Sequence, residues 1–248
     1  MLHASSIRAS LALAAAALLS GGCDLIDALQ DEGDTLITVF ANHQASAENG
    51  QTPDLGGDGE VRRFDNDEGW TISLASGVIT TTGVTLERCD GQQAPVDFYF
   101  GTVAEDLRSA DFDRRTLGGT EVGAGSFCGM TVHYGPFSAA TDDAPGALDV
   151  TEVDGLTVYL VGVAERGEER VPFEVEVASA SDVHLDLAAG PDGPLNISGN
   201  EPFPVELTVS KTYDRLFDGV DFSDFSEEDL AANAVAILEL ETTVIVSR

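Results

Sequence analysis

Strict alternation leaves this chain the fewest options. In Asp182-Val183-His184-Leu185-Asp186-Leu187 every second residue is apolar. A strand gathers such aliphatic side chains on one face and the polar ones on the other, whereas a helix scatters both. Trp70, Ile72 and Leu74 repeat the pattern, as do Met130, Val132 and Tyr134, and then Val205, Leu207 and Val209. Thr80-Thr81-Thr82 inside the run from Val78 to Leu86 would be poor helix, because β-branched residues lose side-chain freedom against the preceding turn. Strands are also expected from Thr35 through Leu36–Phe40, near Val61–Phe64 and over Asp97–Phe100, with a polar connection holding Asp111, Asp113, Arg114 and Arg115. Leu156–Ala164 is apolar on both faces and reads as a mid-sheet strand covered on both sides; Arg170–Val177 returns beside it as a hairpin. Near the end Ser226-Glu227-Glu228-Asp229 starts a helix, with Leu230, Ala234, Ile237 and Leu238 at helical spacing, and Thr242–Val246 reads as a last strand. About ten strands with turn signals between them define an all-β fold, an Ig-like antiparallel β-sandwich with a C-terminal helix.

The N-terminal residues are of another kind. Arg8 precedes the apolar run Leu11–Leu19, too short to span a bilayer stably, and Ser20-Gly21-Gly22-Cys23-Asp24 follows. A charge, an apolar core, small residues and a cysteine in that order resemble the signal of bacterial lipoproteins. The resemblance implies a signal peptide over residues 1–22, cut before Cys23, and acylation of the Cys23 thiol. Residues 23–34 then form a lipid anchor and tether, and residues 35–248 the β-sandwich domain. The protein would sit in the bacterial cell envelope, held to the membrane through its N-terminal lipid; inner and outer membrane both stay open.

Loss of the leader removes Arg8 and no acid, leaving 11 Lys+Arg against 44 Asp+Glu, a formal net charge of −33 where the full chain has −32. Lys211 is the only lysine. Such a surface repels nucleic acid and anionic lipid, so neither is an expected partner. The acidity suits a solvated, salt-tolerant surface, or else cation-binding loops. Asp65-Asn66-Asp67-Glu68-Gly69 and Asp54–Glu60 bring oxygen ligands together with glycine, without matching the helix–loop–helix calcium pattern.

With Cys23 acylated, Cys89 and Cys128 remain as an even pair in an oxidising compartment, and a structural disulfide is the simplest outcome. His43, His133 and His184 are the histidines left in the mature chain. Period two places Asp182, His184 and Asp186 on one strand face, where a histidine between carboxylates suits copper or zinc. The plainer reading of that row is a solvated polar face. Enzyme signatures are missing: no Gly-x-Ser-x-Gly elbow, phosphate loop, His-Glu-x-x-His or dinucleotide fingerprint occurs, and a non-enzymatic protein is expected.

Gly69–Leu74 with its continuation to Leu86, Ala124–Cys128 and Leu216–Phe222 together resemble the uncharacterised β-sandwich lipoproteins of myxobacteria and related predatory or social bacteria. The strand-rich body and Asp90-Gly91 are more loosely similar to the periplasmic copper-binding proteins partnered with methanobactin uptake. The expected function is a lipid-anchored envelope binding or accessory module for an envelope protein or small ligand. The alternatives are a periplasmic copper- or zinc-binding lipoprotein and a calcium-stabilised adhesion domain.

Overall fold

The alternating runs become strands in the computed structural model, which describes residues 33–138, 153–189, 193–199 and 201–248. The expected signal peptide, Cys23 and the expected tether up to residue 32 lie outside the described residues. The first half contains β1 (Thr35–Gln44), β2 (Arg62–Asp65), β3 (Thr71–Arg88), β4 (Gln93–Pro95), β5 (Asp97–Phe98) and β6 (Val103–Asp106). β7 (Arg115–Val122), β8 (Gly125–Tyr134), β9 (Val158–Arg166), β10 (Glu169–Val177) and β11 (Ser181–Asp186) follow. β12 (Leu195–Ile197), β13 (Val205–Thr212), the helix α1 (Glu227–Glu241) and β14 (Thr242–Ser247) complete the chain.

Two sheets form an all-β sandwich. The smaller has the order β14-β13-β1-β7-β5; the larger runs β10-β9-β3-β8-β11, with β12 beside β8 and β2, β4 and β6 along β3. β3 organises the larger sheet because it is 18 residues long and its pairing shifts register at Leu74/Ser76, Thr81/Gly83 and Glu87/Arg88. Each shift turns the strand, so one strand serves five partners in succession. The named strands pair antiparallel except for β1 and β13, which run parallel from Ile37↔Val205 to Gln44↔Thr212. A strand entering first and a strand entering late are thus zipped side by side in the middle of the smaller sheet.

The interior follows the alternation. Ile37, Val39 and Ala41 of β1, Ile72 and Leu74 of β3, Met130 and Val132 of β8, and Leu207 and Val209 of β13 are buried in one cluster. Full burial of a side chain of this size stabilises by roughly 1.5–3 kcal/mol. β9 sits mid-sheet as expected, but only one of its faces is buried. On the other face Tyr159, Val161 and Val163 are half-buried, and Tyr159 packs against a small separate cluster of Val78, Ala104, Phe137 and Val153. The turn at Gly167, with φ at 64°, closes the β9–β10 hairpin. Ser226 caps α1 by accepting a hydrogen bond from Asp229 N at 3.1 Å, and Leu230, Ala234 and Leu238 bury its inner face. Beneath it Phe173, Phe217 and Phe222 pack ring to ring at 5.2–6.2 Å, which accounts for the apolar spacing in Leu216–Phe222. None of the helices among the described residues is long and apolar enough to cross a membrane.

Cys89 and Cys128 form the expected disulfide, closing a separation of 39 residues. Loop closure of that length removes unfolded-state entropy equivalent to about 4 kcal/mol at most. Replacing both cysteines with alanine should therefore lower the melting temperature by several degrees with the far-ultraviolet dichroism of the folded state unchanged.

Candidate functional site

The row expected from period two exists: Asp182, His184 and Asp186 all lie exposed on the outer face of β11, with Val183 and Leu187 buried behind them. Their chemistry is shared with other strands. Asp182 Oδ1 lies 2.7 Å from His133 Nδ1 on β8, and His133 Nε2 lies 3.1 Å from Thr85 Oγ1 on β3. Asp186 Oδ1 accepts from Ala188 N and Ala189 N, which ties up the end of the strand. His184 instead reaches across β8. A Cβ at Gly129 would stand 3.2 Å from His184 Nε2 and 3.3 Å from Glu87 Oε2, so the missing side chain leaves a notch that an imidazole and a carboxylate flank. Among the described residues no three His, Cys, Asp or Glu side chains come together as metal ligands.

The oxygen-rich turns have structural work. Asn66 Nδ2 donates to Phe217 O and Val220 O, while its Oδ1 accepts from Trp70 N; Asp67 Oδ1 accepts from Gly219 N. These bonds fasten the turn before β3 to the segment before α1. Trp70 is buried, donates from Nε1 to Asp221 Oδ1 at 3.1 Å, and carries the Arg166 guanidinium 4.3 Å over its ring. Backbone and side-chain hydrogen bonds from Ser223, helped by Trp70 and Arg166, hold the Asp221 carboxyl below the usual range.

The most unusual charges lie inside. Glu105 on β6 of the larger sheet places Oε1 2.9 Å from His43 Nδ1 on β1 and Oε2 3.1 Å from Lys211 Nζ on β13, both of the smaller sheet. All three residues are at most 2% exposed. His43 and Lys211 are register partners on adjacent strands, and Lys211 is in turn paired with Thr242 of β14. Thr242 Oγ1 meets Tyr134 Oη of the facing sheet at 2.9 Å. One polar row thus crosses the sandwich, with Thr242, Lys211 and His43 on one sheet and Tyr134 and Glu105 on the other. Burial works to raise the Glu105 carboxyl, but the Lys211 ammonium, the hydrogen bond from His43 and its charge outweigh it and hold the group at about 2. Burial pushes the Tyr134 phenol up instead.

This row continues outward to the surface. His43 Nε2 faces Ser109 O at 3.1 Å, on the side of the ring away from Glu105. Ser109 O also accepts from Arg62 Nη2. Arg62, 1% exposed, gives Nε to Leu107 O and Nη1 to Gly56 O, shares Nη2 between Arg108 O and Ser109 O, and stands 3.7 Å from Asp111 Oδ1. Burial and the Asp111 charge push the Tyr213 phenol up, and its hydroxyl donates to that same carboxylate at 3.2 Å.

Above Arg62 opens a cavity of about 300 Å³, walled by the 52–58 loop and by Ala110, Asp111 and Phe112. Phe112 is half exposed and has φ at 64°, a conformation that costs a bulky residue about 1 kcal/mol or more. A hydrogen bond from Phe112 N to His43 O at 3.0 Å holds it there.

No protein-family profile matches the chain, and no curated protein matches it in sequence. MbnP from Methylosinus trichosporium aligns with 87% of this chain and 99% of its own at a TM-score of 0.39 and 10% identity. That protein is methanobactin-related, from the looser of the two groups resembled in sequence, and at this score the likeness carries no statement about function or site.

Removing one member of a buried ion pair costs on the order of 3–5 kcal/mol, because the other charge stays buried and alone. Lys211→Met is expected to lower the unfolding free energy by that much in urea. The acid limb carries the sign of a depressed carboxyl. The stability from Glu105 is complete above its ordinary value of 4.5 and is lost as pH falls toward about 2. Glu105→Gln should flatten the pH dependence of stability within that window, a result that acid titrations of both proteins would read directly.

Proposed function

We propose that the chain is a lipid-anchored cell-envelope protein whose β-sandwich serves as a non-enzymatic binding module, with the cavity over Arg62 as its docking place. The observation that carries this reading is the support beneath the cavity. A guanidinium with four backbone acceptors, backed by a buried ionic row that joins both sheets, keeps the floor fixed before any ligand arrives, and preorganisation of that kind favours binding. The loops above it are surface segments, the usual place for recognition on a β frame. Hydrogen exchange of the mature protein, with and without a detergent extract of the envelope, tests it. Protection is expected in residues 52–58 and 110–112; protection elsewhere or nowhere would contradict the reading. For the anchor, Cys23→Ala should abolish palmitate incorporation and move the protein from membrane to soluble fractions.

A second reading, copper or zinc handling, draws support from the notch at Gly129, where His184 Nε2 and Glu87 Oε2 flank one space from two strands. Imidazole with carboxylate suits either metal, the remaining positions being filled by water. On this reading protein purified without chelator carries about one copper or zinc per chain, and His184→Ala loses it. Metal far below stoichiometric in the parent protein would dismiss it.

A further inference from the structure

The geometry points to a hydroxyl-rich ligand, one sugar ring of an envelope glycan, as the occupant of the cavity over Arg62. This inference rests on the binding-module reading and gives its ligand a chemical class.

The cavity mixes charges of both signs. Arg62 forms the floor, and Asp54, Asp58 and Asp111 stand around it. Arg62 has five N–H donors. Four meet backbone carbonyls, and the one left on Nη1 has no hydrogen-bond acceptor among the described residues. A small cation entering the cavity meets the guanidinium; an anion meets three carboxylates. A hydroxyl group avoids both conflicts, since it donates to a carboxylate and accepts from an N–H at once. Neighbouring hydroxyls on one ring can therefore satisfy Asp111 and Arg62 together.

Phe112 supplies the second, independent observation. It is 50% exposed, lies in the cavity wall, and its backbone is held in a left-handed conformation that glycine would adopt without strain. Stability alone does not select an exposed phenylalanine at such a position. An aromatic face beside donors and acceptors packs against the C–H face of a sugar ring while the hydroxyls turn to the polar walls. The volume of about 300 Å³ stands at the small end of ligand pockets, which suits one ring and not an extended chain.

Saturation-transfer NMR on the mature protein with glucose, galactose, mannose and N-acetylglucosamine, each at millimolar concentration, tests the assignment. At least one sugar should receive saturation, and Phe112→Gly should weaken its binding by about tenfold or more while raising the melting temperature. A merely structural phenylalanine would give the opposite thermal shift. Absence of transfer to all four sugars, or equal binding by Phe112→Gly, overturns the sugar assignment. If envelope extract still protects residues 52–58 and 110–112 in that case, the binding module stands with another ligand; if it does not, both readings fall.

Discussion

The fold depends on one carboxylate. Glu105 is carried by the larger sheet, yet both of its oxygens are committed to side chains of the smaller one, His43 and Lys211. Apolar packing is indifferent to small slips between layers, but a carboxylate held between a buried imidazole and a buried ammonium is not. If either sheet slid by a residue, Glu105 would part from its partners and leave charges unpaired in a medium that cannot screen them; if β1 or β13 slipped by one in register, period two would turn His43 or Lys211 outward. The row therefore fixes how the sheets face each other. It also explains the parallel pairing of β1 with β13, which sets His43 beside Lys211.

A chain with a formal net charge of −32 and a single lysine makes this placement stand out. Lys211 and Arg62 are withdrawn from a surface where almost any position would have offered a carboxylate partner. Inside they perform what exposed pairs cannot, since an exposed ion pair contributes little and is screened by salt. Buried, the same cations hold their geometry in brine or fresh water alike. The acidic exterior and the ionic interior are thus separate devices. The first keeps the solvated protein apart from its neighbours, and the second ties the sandwich to the floor of the cavity.

Much of the architecture was legible because alternation is a local property. The strands around Trp70, Met130, Asp182 and Val205, the helix opened by Ser226, the final strand and the Cys89–Cys128 bridge follow from residues close together in sequence or from a count of cysteines. The buried row was half legible. Counting by twos from Ile37, Val39 and Ala41 puts His43 inside, and counting from Val205, Leu207 and Val209 does the same for Lys211. What no local count supplies is Glu105, on a strand of four residues within a stretch that reads as a polar connection. The cavity was equally hidden, since Arg62, Asp111 and Phe112 meet only through the fold. Asp182, His184 and Asp186 share a face as their spacing requires, but the side chains that complete that face, His133 and Glu87, come from strands distant in sequence.

The claim that a sealed ionic row holds the two sheets together is tested most directly by the reactivity of Lys211. An amine-reactive ester applied to the native mature protein, with the site of modification read by peptide mass, should modify this lysine only at the rate of global unfolding. Urea should accelerate the reaction in step with the unfolded fraction. Modification in the absence of denaturant at the rate of a free lysine would show that Lys211 reaches solvent, and the central claim would be wrong.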